Sequence, residues 1–436
     1  MTGYTNTKAL IVGGGKSGLA AARYLAARGA AVTISDSKPA AVPGFPVIGQ
    51  AETDSDGFDL LIQSPGVPLE LPLFERARAR GARIIGELEL AAAELRGRIT
   101  AITGANGKTT TTALIGHIFR HAGRPTLVGG NIGVPVTDLV ADSTPESEIV
   151  LELSSFQLET IDTFRAHISL VLNITPDHLD RHGTMKRYVD AKARLVETQT
   201  VEGVAVLNAA EPNASALAQR TQASVVWFNL DAPRAGHVAS ANGFLWLGET
   251  VWMPEAEIPL PGRHNVENVM AAAAAAWLSG IPPTVIADAV RSFPGVEHRI
   301  EFVRELNGVK YYNDSKATNV DAAEKAIDAF PGSLWIILGG KDKYSDYRPL
   351  AARLAAKAKG ILLIGAAAPI IRQHFLEADP SLPLMDCDTL EKAIRTARPL
   401  AAPGDIVLLS PACASFDQFQ SYEHRGRWFK EIVNSL

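Results

Sequence analysis

Ala101-Ile-Thr-Gly-Ala-Asn-Gly-Lys-Thr-Thr-Thr-Thr112 reads as the end of a buried strand, a glycine-rich turn and the first turn of a helix. The lead-in Ile99 to Ile102 is apolar and β-branched, and an alanine- and leucine-bearing helix follows the four threonines. Strand, flexible turn and helix N-terminus in that order cradle phosphate groups, because glycine lets backbone N–H groups curl inward and the helix dipole favours negative charge. Lys108 is placed to reach the β/γ-phosphates of a nucleotide, and the Thr109 hydroxyl to bind Mg²⁺. Of the longer G-x-x-x-x-G-K-[ST] pattern only Gly104-x-x-Gly107-Lys108-Thr109 is present, since Ile102 stands where the first glycine belongs.

Working outward, the chain has 436 residues, enough for two to four domains, with 47% hydrophobic and 20% charged residues. That composition is globular. A net charge of −5 without a basic cluster argues against nucleic-acid binding. Two distant cysteines, Cys387 and Cys413, suggest neither a disulfide framework nor a thiolate metal site. The first residues lack the order of a signal peptide, and the run Met270 to Leu278 is too short and alanine-rich to span a membrane. A reducing cytoplasm is the expected location.

Upstream, the strand pattern Ala9–Val12 meets Gly13-Gly-Gly15-Lys16-Ser17-Gly18 and then a helical run. A second strand, Ala31–Asp36, ends in an acid 18 residues past Gly18, as in dinucleotide sites. Alone, this predicts an NAD-dependent oxidoreductase. A third strand leads into the rigid turn Ser64-Pro65-Gly66-Val67-Pro68, on the expected ligand face. The unit ends near Ala92, short for a two-halved dinucleotide fold.

Downstream, Gly129-Gly130-Asn131-Ile132-Gly133 is a flexible turn carrying one amide side chain. Glu152 closes the apolar strand from Ile149 and precedes Ser154-Ser155-Phe-Gln157. A buried carboxylate is costly unless paired; a salt bridge or a metal ion beside the phosphate loop would satisfy it, and the metal would also make it useful. Asn173 ends the next strand, and Thr175 to His182 reads as a loop rich in oxygen and nitrogen ligands. The helix Thr184–Glu197 puts Tyr188 and Lys192 on one face. Lys192 is either a surface lysine or, after reaction with CO₂, a carbamate ligand. Asn265 and Asn268 open an alanine-rich helix, as caps or as contacts to an adenine edge.

Beyond a Pro/Gly linker near Pro294, three strands end in Asn313-Asp-Ser-Lys316-Ala-Thr318-Asn319, Gly339-Gly340-Lys341-Asp-Lys343 and Ser410-Pro-Ala-Cys-Ala-Ser415. Lysines, threonine and serine recurring at glycine-rich strand ends predict an anionic-ligand site. The domains are therefore drawn as 1–92, 93–294 and 295–436, all α/β: Rossmann-like, P-loop ATPase-type and Rossmann-like.

These motifs together resemble the Mur ligases, ATP-dependent amide-bond-forming enzymes of peptidoglycan precursor synthesis. The resemblance is carried by Thr103–Thr109, Glu152–Leu158, Asp177-His178, Tyr188-x-x-Ala-Lys192, Asn313–Asn319 and Leu409–Phe419, and covers essentially the whole chain. The last two segments resemble the glutamate-adding branch. The resemblance implies that UDP-N-acetylmuramoyl-L-alanine, D-glutamate and ATP are the substrates of a monomer. Gly15, Lys16, Ser17, Gly18, Asp36, Ser37, Gly66, Asn131, Ser154 and His178 would contact the UDP substrate. Gly104, Asn106, Gly107, Lys108, Thr109, Thr110, Asn265, Asn268, Arg299, Asp314 and Lys316 would hold ATP, with His298 beside them. Thr318, Lys343, Ser415 and Tyr422 would hold glutamate. Thr109, Glu152, His178 and an N6-carboxylated Lys192 would bind two Mg²⁺ ions, and Lys108, Glu152, His178 and Lys192 would be catalytic. Tyr422 stands where Phe is the family pattern, so L-glutamate or another amino acid stays an alternative.

Overall fold

The computed structural model describes residues 3–342 and 345–436. They form two compact units, Met1–Glu257 with Glu267–Ser292, and Ile258–Val266 with Phe293–Leu436.

In the first unit, five parallel strands run in the order Val47–Gly49, Ala31–Asp36, Lys8–Val12, Leu60–Gln63, Arg83–Gly86. Chain order reverses between Lys8–Val12 and Leu60–Gln63, and the Gly13–Gly18 loop and the Ser64–Pro68 turn leave from their carboxyl ends. Such switch points open the ligand crevice of α/β sheets. The sheet is followed by the short helix Glu87–Ala92.

The second sheet of this unit has six parallel strands, ordered Ser224–Phe228, Val204–Asn208, Ile168–Val171, Arg98–Thr103, Glu148–Glu152, Thr126–Gly130. Every residue of Glu148–Glu152 is buried. A parallel strand covered on both faces reads as a continuous apolar run, which is why Ile149–Leu151 lacks alternation. The two sheets share one core: Ala9, Ile62, Leu88 and Leu90 belong to the same apolar cluster as Ile99, Leu139, Leu153 and Phe164. Each such isoleucine, leucine or phenylalanine side chain taken from water stabilises the fold by about 1.5–3 kcal/mol.

A three-stranded antiparallel sheet, Val238–Ala241, Phe244–Leu247 and Thr250–Pro254, lies outside the sequence reading. Its signal was Asn242-Gly243, both with positive φ (53° and 79°), the requirement of a two-residue type I′ hairpin. Asn307-Gly308 does the same for the unforeseen edge strand Glu301–Leu306 of the second unit.

The second unit is built on six strands, ordered Glu301–Leu306, Val309–Asn313, Ile406–Leu409, Leu334–Gly339, Ala358–Ile364, Leu384–Asp388, with only the first antiparallel. Val309–Asn313, Ile406–Leu409 and Leu334–Gly339 are neighbours, so the three glycine-, lysine- and serine-bearing strand ends do share one edge. Among the described residues, no helix is long and apolar enough to cross a membrane.

Candidate active site

The helix Lys108–His121 begins at Gly107, whose φ of 83° is a left-handed conformation that glycine adopts without strain. A Cβ there would meet Asn268 Oδ1 at 2.3 Å, so Asn268 packs directly on the turn. Lys108 folds back over the loop, its Nζ donating to the carbonyls of Gly104 and Ala105 at 2.9 Å each. Asn173 braces the turn from the neighbouring strand. Its Oδ1 accepts from Asn106 N at 2.8 Å, its Nδ2 donates to Asn106 O at 3.1 Å, and its carbonyl accepts from Ala105 N at 2.9 Å. The sequence marked Asn173 only as a strand end; its role in shaping the loop needed the sheet order. Thr109 and Thr110 are buried in the first helical turn.

Glu152 ends the strand adjacent to Arg98–Thr103 and is 2% exposed. Asn131 Nδ2 donates to its Oε1 at 3.1 Å. Its Oε2 is buried and has no hydrogen-bond partner. A carboxylate oxygen left so costs several kcal/mol unless something fills the place, and no salt bridge among the described residues does so. This orphaned oxygen next to a phosphate loop fits a divalent cation.

Lys192 lies on the helix Met185–Glu197, beside Tyr188 as expected, but it is no surface residue: 1% of it is exposed. Its Nζ donates to Gly104 O at 2.9 Å and sits 4.6 Å from the Tyr188 ring centre. Burial, and then the charge of Lys108, push its pKa well below the ordinary lysine value. Burial favours the neutral amine, the form that is a nucleophile toward CO₂.

The stretch read as a ligand-rich loop is partly helical. Leu179–His182 forms one turn, and His178 precedes it with φ 51° and a half-exposed side chain. His182 turns inward and is buried. No three His, Cys, Asp or Glu side chains among the described residues converge as a metal cage. Ser154 caps the helix Ser155–Leu158 in a reciprocal box with Gln157.

At the first sheet, Gly13 and Gly18 are required by space: a Cβ on Gly18 would stand 2.0 Å from Gly13 O, and one on Gly13 2.8 Å from Ser64. Gly15 and Gly66 face open space. Asp36 accepts from Gly14 N at 2.6 Å and from Lys38 N at 2.8 Å; these bonds, Lys38 first, hold its carboxyl below the usual range. Ser37 is exposed and Ser17 half-buried. Lys16 reaches across to the Gly133 carbonyl, in the turn that carries Asn131.

In the second unit, Asp314 is fully enclosed. Ser410 Oγ donates to one of its oxygens at 2.9 Å and Ile300 N to the other at 3.2 Å, and burial raises its pKa to about 7. Asp314 is thus a brace between strand ends. Its neighbours Arg299 and His298 each bury a nitrogen without a hydrogen bond, Nε and Nε2, the latter 3.7 Å from Glu297 Oε1. Asn265 Nδ2 donates to Pro261 O at 2.7 Å. Ser415 is buried, while Lys316, Thr318 and Tyr422 are partly exposed. Lys343 lies outside the described residues. The residue that sequence reasoning missed is Arg425, 1% exposed, which donates to Ser315 Oγ and to the carbonyls of Ser315, Cys413 and Ala414 at 2.9–3.4 Å. It lies on the helix Tyr422–Ser435, outside any strand-end motif.

Residues 7–86 match the family of N-terminal domains described as Mur ligase, MurD-like; residues 102–276 match the Mur ligase middle domain, and residues 298–413 the Mur ligase glutamate ligase domain. The chain is 55% identical to the UDP-N-acetylmuramoylalanine–D-glutamate ligase of Solibacter usitatus, covering 98% of each chain. It is 49% identical to the enzyme of the same name from Acidobacterium capsulatum, over 98% of this chain and 96% of that one. Among solved structures, UDP-N-acetylmuramate–alanine ligase of Thermotoga maritima shares the fold, with a TM-score of 0.61 at 18% identity over 99% of this chain and 100% of that one. These matches assign the Gly13–Gly18 loop to a ligase domain and remove the oxidoreductase alternative. From its N-terminal, middle and C-terminal domains alike, the chain belongs to the Mur ligase family.

Proposed function

We propose that the protein couples D-glutamate to UDP-N-acetylmuramoyl-L-alanine at the expense of ATP, in cytoplasmic peptidoglycan precursor synthesis. The reading is supported by full-length relatives at 55% and 49% identity that carry this activity in their names. The single structural observation that carries it is the buried, partnerless Glu152 Oε2 near a phosphate loop against which the buried Lys192 amine also packs.

In this reading the substrate carboxylate attacks the γ-phosphorus of ATP, the bond to the β-phosphate oxygen breaks, and ADP leaves an acyl phosphate. The amine of glutamate then attacks the acyl carbon, loses a proton, and phosphate departs as the amide forms. Charge gathers on phosphoryl oxygens in both steps. Lys108 and the N–H groups of the Gly104–Thr109 turn are preorganised to stabilise it, which is where most catalytic power resides in such sites. Thr109 and Glu152, and His178 with a carboxylated Lys192, would hold Mg²⁺, which would supply Lewis-acid stabilisation of charge on phosphoryl oxygens. Carboxylation itself needs only CO₂: the Lys192 nitrogen forms a bond to carbon, a C=O electron pair moves to oxygen, and the amine proton leaves. Asn131 and Ser154 would orient the muramoyl substrate, and Gly15–Gly18, Asp36, Ser37 and Gly66 the UDP group. Arg299, Asp314, Lys316, Asn265 and Asn268 would serve ATP, and Thr318, Lys343, Ser415 and Tyr422 the glutamate.

The deciding experiment measures phosphate release from ATP with UDP-N-acetylmuramoyl-L-alanine and a panel of amino acids. Release dependent on D-glutamate is the expected result. Release with L-glutamate or a diamino acid alone would move the chain to another branch of the family.

A further inference from the structure

The single helical turn after His178 is tied to two other segments of the first unit. Arg181 Nη2 donates to the carbonyl of Val67 at 2.9 Å, within the Ser64–Pro68 turn of the first sheet, and to Glu159 Oε2 at 3.3 Å. That same Val67 carbonyl accepts from Gln63 Nε2 at 2.5 Å, and Gly66 beside it faces open space. His182, 3% exposed, shares a hydrogen bond with Ser155 Oγ through Nε2 at 2.9 Å and lies 3.3 Å from Glu159 Oε1 through Nδ1. A neutral ring donating from Nδ1 to the carboxylate and accepting the Ser155 proton at Nε2 satisfies both atoms.

The Phe156 ring joins these groups. His182 stacks on it at 5.3 Å and 20°, the Arg181 guanidinium lies 5.1 Å from its centre, and the His178 ring meets it at 5.0 Å, inclined by 61°. The backbone N–H groups of Arg181 and His182 both donate to His178 O, at 3.1 and 3.0 Å. His178 itself is exposed over half its side chain and has a left-handed backbone, which costs a non-glycine residue on the order of 1–2 kcal/mol. The imidazole is steadied by the Asp177 carboxylate, 3.5 Å from its Nε2, and by the Phe156 ring and the turn behind it.

We infer that Arg181 and His182 are a positioning pair that holds the His178 imidazole in register with the Ser64–Pro68 turn, so that a UDP-bearing ligand at that turn and a metal ion at His178 bind cooperatively. The inference rests on the functional reading above. A ligand that orders the turn steadies Val67 O, through it Arg181, and through Phe156 the imidazole. By linkage, metal at His178 tightens the UDP ligand by the same factor. Residues that orient a metal ligand from behind typically contribute ten- to a hundredfold in affinity.

The test titrates Mn²⁺ into the full chain with a non-hydrolysable ATP analogue, following free Mn²⁺ by electron paramagnetic resonance, with and without UDP-N-acetylmuramoyl-L-alanine. In the wild type the UDP substrate should tighten the weaker Mn²⁺ site by about tenfold or more. Arg181→Met should abolish that gain, and Arg181→Lys, which keeps charge but loses the planar fork, should reduce it. His182→Phe keeps the ring stack and loses both polar contacts; it should weaken the site with or without the substrate. Binding of the ATP analogue should stay within twofold throughout, and circular dichroism selects the variants that fold. Equal tightening in wild type and both Arg181 variants, or none in the wild type, overturns the inference and leaves the ligase reading intact. A wild type that does not bind the UDP substrate at all overturns both.

Discussion

The Lys192 amine and the Gly104 carbonyl, 88 residues apart in sequence, meet at 2.9 Å beneath the phosphate loop. This contact explains how a lysine can sit beside a second cation, Lys108, in a nearly dry place. The carbonyl accepts an N–H from the amine, while burial and the charge of Lys108 lower its pKa well below the ordinary lysine value and so favour the neutral form. Lys192→Ala is expected to lower turnover by at least about 10²–10³-fold, the scale of losing one preorganised electrostatic group. Formate or acetate at high concentration should restore part of the activity in Lys192→Ala but not in Lys192→Arg, where the guanidinium fills the space. A folded Lys192→Ala protein that no short carboxylate revives would remove support for the carbamate.

Gly107 offers a second test, one of geometry. Alanine there meets both a left-handed φ of 83° and Asn268 Oδ1 at 2.3 Å. The backbone term alone is about 1–2 kcal/mol. Relief by rotating the turn would spoil the ring of N–H groups while leaving the sheet untouched. Gly107→Ala should therefore raise KM for ATP by about tenfold or more, since each 1.4 kcal/mol is a factor of ten, with KM for the UDP substrate little changed. Steady-state kinetics with each substrate varied in turn decides it; an unaltered KM for ATP would mean the turn is not the nucleotide cradle.

What was legible in the sequence was whatever local chemistry announces. The glycines of both loops, the apolar strands ending at Val12, Thr103 and Glu152, and the helix from Thr184 are set by turn geometry, burial and capping. They recur in the structure within a residue or two. The inward turn of His182, the bracing by Asn173 and the hub at Arg425 were not legible. Each depends on which strand lies next to which, and a histidine or arginine has the same local signature whether it is solvated or buried. The common core of the two first-unit sheets was invisible for the same reason: Leu88 and Leu139 look like ordinary helix residues until they touch one cluster. The hairpins at Asn242-Gly243 and Asn307-Gly308 are a different case, because their signal was present and went unused.

Glu87 gives a pH prediction. Its Oε1 accepts from Thr137 N at 2.6 Å and from Thr137 Oγ1 at 2.8 Å, so the carboxyl caps the short helix Val136–Leu139 that follows the Asn131 turn. Burial, with Asp138 adding to it, outweighs these bonds and raises its pKa from 4.5 to about 7. A carboxyl whose folded pKa lies above its unfolded value binds more protons when folded. Stability from this group is therefore intact below about 4.5 and is lost as pH rises toward about 7. Glu87→Gln, neutral at every pH, should not show that decline. The difference in Tm between variant and wild type should grow in the variant's favour from pH 5 to pH 7.5, and a difference independent of pH would refute the assignment.

Arg425 carries the last prediction. Its guanidinium is 1% exposed, and its pKa is lowered to about 10 by burial, with no salt-bridge partner among the described residues. An enclosed charge held only by neutral oxygens is a poor way to stabilise a fold, yet it joins the loop after Asn313 to the loop after Ser410. Ser315 and Cys413–Ala414 converge on it, and a Cβ on Gly340 would stand 3.2 Å from its Nη1, so the third strand end is also adjacent. Its charge, with Asp417 and Asp314 as the nearby acids, lies under the edge proposed for an amino acid with two carboxylates. Arg425→Lys retains the charge and loses the fork; Arg425→Met loses both. The lysine variant should raise KM for glutamate by about tenfold, and the methionine variant further, on the scale of losing a charged hydrogen bond, about 1.5–3 kcal/mol. KM for the UDP substrate should be nearly constant in both. If Arg425→Met leaves KM for glutamate unchanged while lowering Tm, the residue is only a structural hub; if all substrates weaken together, the three strand ends do not form a separate amino-acid site.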